Sequence, residues 1–81
     1  MNNEAHDLIH ELPEYKDEIH RLKTEDNHFR RLFDEYHKVN KEVHRIEQGV
    51  EAHADEYVED LKKQRLSLKD ELFSILKAKA A

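Results

Sequence analysis

The sequence has no cysteine or tryptophan, and its 81 residues include one glycine and one proline. Without cysteine it can form no disulfide, no thiolate metal site and no cysteine nucleophile. Sheets and long loops use glycine and proline at their turns, so their scarcity favours long helices with few connections. A chain of this length also buries too little surface to enclose a deep catalytic cavity.

Long apolar runs are absent as well, and we expect no secretion signal. No stretch approaches the ~20 apolar residues that a membrane-spanning helix needs. Residues 1–4 lack the basic region and the apolar stretch that begin a secretion signal. We therefore expect a cytoplasmic protein with no membrane partner.

Charge is abundant, with 14 Lys and Arg against 19 Asp and Glu and a formal net charge of −5. Binding to a phosphate backbone needs an excess of basic residues to displace counterions. Two basic clusters, at 28–31 and 62–65, are flanked by acids, which favours a salt-bridged surface. We expect no nucleic-acid partner and keep an accessory protein that associates with nucleic acid as an alternative.

A long amphipathic stripe predicts a helix at about 27–48. Its apolar side chains recur at alternating intervals of three and four residues, the spacing of a coiled-coil helix. They are Phe29, Leu32, Tyr36, Val39, Val43, Ile46 and Val50. Gly49 predicts the end of the helix, because glycine adopts the left-handed conformation after a last turn at least cost.

A second stripe predicts a helix at about 55–78. Asp55 can cap it, and acids in its first turns and lysines near its end match the helix dipole. One arc of the helix contains Tyr57, Val58, Leu61, Leu68, Leu72, Ile75 and Leu76, together with Arg65. The short connection between the two stripes forces the helices to lie antiparallel. The predicted fold is therefore an all-α, coiled-coil-like antiparallel helical hairpin.

The N-terminal third carries a weaker stripe, from Leu8 to Leu22, that Pro13 interrupts. Proline lacks the backbone donor and its ring collides with the carbonyl of Ile9. We predict a helical turn at about 4–11, a helix from Pro13, and a capped break around Thr24, Asp26 and Asn27. Residues 1–81 then form one helical domain with a short N-terminal arm at 4–24. The pattern leaves open whether the arm continues into the next helix or folds back.

Arg65 is the charged residue inside the apolar arc of the second helix. Its aliphatic stem could lie along the core while the guanidinium reaches solvent. It could instead pair with an acid of the facing helix such as Glu42, or fix the register as an occasional polar core residue does.

Two further apolar residues, Leu66 and Phe73, do not fit a two-helix hairpin. They share one face of the second helix, more than about 100° from the stripe centred near Leu72. Two alternatives could cover Leu66 and Phe73. One is another chain, and the other is the apolar stripe of the arm, which would fold back: Leu12, Tyr15, Ile19 and Leu22. These six side chains are the predicted surface for self-association or for a protein partner.

The seven histidines raise the question of a metal site. His6 and His10 are four residues apart, which places two imidazoles on one helical face, and Asp7 or Glu11 could add a carboxylate. Two ligands do not make a site, and the other histidines are scattered along the chain. We therefore predict no metal and no cofactor, with weak binding at His6 and His10 as an alternative.

Catalytic motifs are absent: there is no HExxH, P-loop or GxSxG. Adjacent carboxylates such as Asp70 and Glu71 point about 100° apart on a helix, and a solvated face does not tune them for acid–base chemistry. The sequence therefore predicts a protein without enzymatic activity.

One set of motifs resembles the YdcH-like family of small bacterial proteins of unknown function. The set comprises Pro13-Glu14-Tyr15, Ile19, Leu22-Lys23, Asn27, Phe29, Leu32-Phe33, residues 61–66, residues 68–72 and Ile75-Leu76. The resemblance implies a helical hairpin, a bacterial cytoplasmic setting and no known reaction, and it transfers no site residue. The richness in histidine departs from the family pattern.

From these features we expect a non-enzymatic helical protein that acts through helix–helix contact with itself or with a protein partner. Weak His-dependent metal binding and association with nucleic acid are the competing interpretations.

Overall fold

The computed structural model describes residues 8–49 and 52–80, without the side chain of Ala80. This part of the chain forms four α-helices and one 3₁₀ turn. The helices are α1 (Leu8–Glu11), α2 (Lys16–Glu25), α3 (Asn27–Glu47) and α4 (Asp55–Ala80), and the turn is Pro13–Tyr15. α3 and α4 lie antiparallel, with Asn40 opposite Arg65 and Glu47 near Lys62. The predicted all-α hairpin with an N-terminal arm is confirmed.

Two residues set the ends of α3. Asp26 has an extended backbone, and its Oδ1 accepts a hydrogen bond from the Phe29 backbone N–H at 3.1 Å, which caps the helix. Gly49 has a φ of +80°, in the left-handed region predicted for it. The Gly49 N–H donates to the carbonyl of Ile46, which closes the last turn before the chain leaves the helix. Val50, the last residue of the predicted stripe, lies outside the described residues.

The arm differs in detail from the prediction of a helix that begins at Pro13. Pro13 starts a 3₁₀ turn, and α2 begins at Lys16. Leu12 carries the break, with φ −130° and ψ 64°, because proline can neither donate to the preceding turn nor fit against its carbonyl. Of the helical turn predicted at 4–11, the described residues show α1, from Leu8 to Glu11.

α2 folds back on the hairpin and does not extend α3. Its apolar side chains join α3 and the C-terminal half of α4 in one core, which we call the covered cluster. Its buried members are Leu8, Ile19, Leu22, Phe29, Leu32, Phe33, Tyr36, Leu72 and Leu76. Nearer the turn the two long helices meet without the arm, in the turn cluster of Val39, Val43 and Leu61.

Between Val39 and Val43, on the α3 side of the hairpin, lies one buried polar residue. Asn40 is 7% exposed, and its Oδ1 accepts a hydrogen bond from the Arg65 guanidinium at 3.0 Å. The proposed pairing of Arg65 with Glu42 is not the one observed, because Glu42 accepts from the hydroxyl of Tyr57. Arg65 therefore contributes a hydrogen bond across the hairpin, which a buried amide oxygen requires.

Candidate protein-interaction surface

Leu66 and Phe73, predicted to share an uncovered face, have different surroundings. Phe73 is half-buried, and its ring meets the ring of Tyr15 edge-on at a centroid distance of 5.9 Å. Leu66 stays 57% exposed near the middle of α4. The arm therefore covers one end of this face and leaves the other open.

The four predicted arm residues all pack against this chain's own hairpin. Ile19 and Leu22 are buried in the covered cluster, and Leu12 and Tyr15 are half-buried against it. Glu11 and Lys69 fix the position of the arm through an ion pair of 2.9 Å. The sequence left open whether the arm or another chain covers this face, and at Phe73 the arm does so. Of the six residues of the predicted interaction surface, Leu66 is the one that remains exposed for a partner.

Beside Leu66, a shallow groove of about 390 Å³ runs along α4. We call its lining the outer face of α4. It consists of Lys63, Leu66, Ser67, Asp70, Glu71 and Ser74, all exposed. The face combines one large apolar side chain with small hydroxyl residues and charges of both signs. Such a mixture suits contact with another polypeptide better than a small apolar ligand, which needs an enclosed and mostly apolar pocket.

The opposite side of Leu66 borders a smaller pocket of about 160 Å³ that contains Lys62, Arg65 and Lys69. Each of these cations has a partner within the chain. Lys62 lies 3.8 Å from Glu47, and Lys69 pairs with Glu11 at the base of the arm. Of the basic cluster predicted at 62–65, Lys62 and Arg65 thus contact α3, whereas Lys63 lies on the outer face of α4.

Among the described residues, the histidines and the remaining charges form no organised centre. His10 is exposed, and His6 lies outside the described residues. Within 8–49 and 52–80, no group of three or more His, Asp or Glu side chains is arranged to hold a metal ion. On the exposed side of α2, the hydrogen bond and charge of Glu18, assisted by Glu25, raise the pKa of the Arg21 guanidinium above its ordinary value.

Sequence reasoning missed the groove residues around Leu66. The sequence pattern assigns Lys63 to a salt-bridged surface and Asp70 to a solvated face, and it gives no motif for Ser67 or Ser74. The available signal was their spacing, since Lys63 and Asp70, like Ser67 and Ser74, are seven residues apart and share a side of the helix. The described helices include none that is long and apolar enough to cross a membrane.

Comparison with known proteins identifies the relatives of this chain. The model of the family described as "Protein of unknown function (DUF465)" matches residues 29–76, which span most of α3 and α4. The chain belongs to this family. It is 43% identical over 65 residues to the "Uncharacterized protein YdcH" of Escherichia coli strain K12, a match covering 80% of this chain and 88% of that protein.

The protein of the same name from Shigella flexneri matches equally well, at 43% identity over 65 residues, with the same coverage of both chains. No solved structure matches the chain. The YdcH-like resemblance inferred from the sequence is confirmed. The relatives are bacterial, and neither the family description nor their names state a function.

Proposed function

We propose that this protein is a non-enzymatic interaction module of the bacterial cytoplasm, which binds a protein helix on the outer face of α4. The observation that carries the proposal is the exposure of Leu66, at 57%. The other large apolar side chains of α4 from Leu61 onward are buried or half-buried against α3 or the arm. An uncovered leucine in the middle of such a helix gains most from a partner that removes it from water.

The shape and chemistry of the outer face support a helix as the bound element. Ser67 and Ser74 are small and lie seven residues apart, so a second helix can approach the backbone of α4 closely along this line. Lys63 and Asp70 offer opposite charges on the same side, which suits a helix that also carries both signs. The 26 residues of α4 give a helix of roughly 39 Å along which a partner helix can pack.

Contact, and not catalysis, is also the better use of these side chains. A catalytic carboxylate or lysine needs a setting that withdraws it from water or places it against a tuned partner. Asp70, Glu71 and Lys63 are exposed on the groove. The described residues contain no group of three or more side chains placed to hold a metal ion, and Lys62 and Arg65 of the basic cluster bond to α3. We therefore propose neither metal binding nor nucleic-acid binding as the function.

The test is site-specific photo-cross-linking in the native host. A benzophenone amino acid replaces Leu66 in one variant and Lys41, an exposed residue of α3, in the matched control. We expect a discrete protein adduct from position 66 that is absent from position 41. The adduct partner, whether this chain or another protein, must then re-form the complex when purified with the wild type, and must fail to do so with Leu66→Glu.

Equal adducts from both positions, or none from position 66, would overturn the proposal. So would a purified complex that tolerates Leu66→Glu, because the contact would then lie on another surface. Circular dichroism of Leu66→Glu provides the folding control, since a charged side chain at an exposed helix position leaves the core intact.

A further inference from the structure

Four charged residues of α4 recur at intervals of seven and alternate in sign. They are Glu56, Lys63, Asp70 and Lys77, and all four are exposed. Seven residues make just under two helical turns, so the four side chains form one line along the helix. We call this line the charge stripe; it spans roughly 30 Å and passes through the outer face of α4.

The charge stripe is symmetric about a point between Leu66 and Ser67. Lys63 and Asp70 lie equally far from this point on either side, and so do Glu56 and Lys77. If an identical helix lies antiparallel across this point, Lys63 faces Asp70 of the second copy and Glu56 faces its Lys77. Two-fold symmetry repeats both pairs, so all four contacts join opposite charges.

Other arrangements of two α4 helices join fewer opposite charges. A parallel pair in register places each charge against its own copy, which repels. An antiparallel pair shifted by seven residues places Glu56 against Asp70, which also repels. A parallel pair staggered by seven residues joins three opposite pairs and leaves its ends open. The two-fold antiparallel pair joins four and closes, so the charge stripe favours this direction and register, as charges flanking a helix seam do in coiled coils.

At the centre of the symmetric arrangement lie Leu66 and Ser67. Leu66 of each copy faces the groove beside Ser67 of the other, so the exposed leucine and the small residue complement each other. The described ion pairs use Lys62 and Lys69 but leave Lys63 and Asp70 for such a contact. Lys77 also contacts its own chain, since its ammonium lies 5.2 Å from the centre of the Phe73 ring.

We infer that the partner of the outer face of α4 is α4 of a second copy, in an antiparallel, two-fold symmetric dimer centred between Leu66 and Ser67. This inference rests on the proposed function and names its partner. The contact is a single helix pair with one large apolar residue from each copy, so the dimer is a weak one whose formation depends on charge.

The first experiment reverses one charge at a time in the full-length chain. Lys63→Glu places acids against Asp70 of the other copy, and Asp70→Lys places two lysines together, each change acting twice by symmetry. We expect each variant to dimerise at least about tenfold more weakly than the wild type at low ionic strength. An equimolar mixture of the two variants restores opposite charges at both contacts and should regain the wild-type association.

Sedimentation equilibrium from micromolar to sub-millimolar concentration gives the dissociation constants. Lys41→Glu, on the exposed surface of α3, is the matched control and should dimerise as the wild type does. Circular dichroism checks that each variant keeps its helix content. Added salt should weaken the wild-type dimer and have little effect on the difference between wild type and control.

The second experiment reads the register directly and uses the absence of native cysteine. In Ser67→Cys the two thiols lie next to the symmetry point, where a short bis-maleimide joins them. In Ser74→Cys, on the same groove, the two copies place their thiols roughly 20 Å apart along the axis. We expect rapid cross-linking of the first variant and none of the second.

A wild type that stays monomeric at sub-millimolar concentration would overturn this inference. So would a dimer indifferent to both charge reversals, a mixture that fails to restore association, or equal cross-linking at positions 67 and 74. The proposed function has its own test: an adduct of position 66 with a different protein would support that function while contradicting the dimer. The absence of any adduct would overturn both.

Discussion

The two ends of the hairpin differ in how their apolar residues are covered. Among the residues that the structure describes, nine buried side chains from α1, α2, α3 and α4 form the covered cluster where the arm packs. Towards the turn, the described part of the turn cluster consists of three buried side chains from α3 and α4. At the end covered by the arm, α3 and α4 therefore belong to a core of three layers. Near the turn they form a core of two layers.

This difference shows what the arm contributes to a short, highly charged chain. A two-helix hairpin buries one stripe of each helix, which gives little apolar burial for its length. The arm closes over the C-terminal half of α4 and adds side chains such as Ile19 and Leu22. Stability should therefore be concentrated at the covered end, with local opening easier at the turn.

The first prediction, with the largest expected effect on stability, compares the substitution of one core residue at each end of the hairpin. Phe29 and Val43 are both 0% exposed. We expect Phe29→Ala to lower the free energy of unfolding by about 3–5 kcal/mol, since a large ring is lost where three layers meet. Val43→Ala should cost about 2 kcal/mol, because it removes two methyl groups where the two-helix core can close more easily.

Urea denaturation followed by circular dichroism measures both variants. In a chain with marginal stability, we expect Phe29→Ala to populate the unfolded state even without urea, whereas Val43→Ala should give a complete folded baseline. Equal losses at the two sites would contradict the greater share of stability assigned to the covered end.

The second prediction concerns the hydrogen bond that crosses the hairpin at the turn cluster. Arg65→Met keeps an unbranched apolar stem but leaves the buried oxygen of Asn40 without the guanidinium. We expect a loss of about 1–3 kcal/mol in the free energy of unfolding, the usual cost of removing one partner of a buried polar group. Urea denaturation gives this value.

Adding Asn40→Leu to Arg65→Met supplies the control. With both polar partners replaced, the double variant should regain much of the lost stability, because no buried amide then remains unsatisfied. A double variant whose loss equals the sum of the two single losses would show that the pair does not act as a unit.

The comparison of the two ends also shows how far the sequence could predict the structure. The spacing of apolar residues was sufficient to predict α3 and α4, and the residue type was sufficient to predict the left-handed conformation of Gly49. Both signals lie within a few residues of the sequence. The cover of Phe73 by Tyr15 and the ion pair of Glu11 with Lys69 join distant segments. The periodicity of apolar residues assigns a side chain to one face of a helix. It does not state whether the arm or another chain packs on that face.

The same limit applied to Arg65 and to the interaction surface. The apolar arc identified Arg65 as an unusual core residue. The partner of Arg65 depends on the register of α3 against α4, which places Asn40 opposite Arg65. The arc also identified Leu66 as uncovered. The groove beside Leu66 is lined by α4 residues, whose seven-residue spacing places them on one side of the helix. Whether the arm covers that side depends on where the arm lies, which this spacing does not state.

The third prediction tests the turn end through Gly49. A Cβ atom added there has no neighbouring atom within 4 Å, so any cost arises from the positive φ and not from a clash. We expect Gly49→Val to lower the free energy of unfolding by about 1–2 kcal/mol, because a β-branched residue resists the left-handed conformation. Gly49→Asn should cost less, since asparagine adopts this conformation more readily. A valine variant with the wild-type melting temperature would show that the chain turns elsewhere.

The smallest effect is expected at the hinge between the arm and α3, where Asp26 caps the helix. Asp26→Ala removes the acceptor for the Phe29 N–H and should lower the free energy of unfolding by about 1 kcal/mol. Asp34→Ala is the matched control: it removes an exposed carboxylate whose 3.2 Å contact with Arg30 contributes about 0.3–0.5 kcal/mol. Both values come from urea titrations at the same salt concentration. If the two variants lose equal stability, the cap adds no more than a surface ion pair, and the return of the arm onto the hairpin must depend on its apolar packing and its ion pair with Lys69.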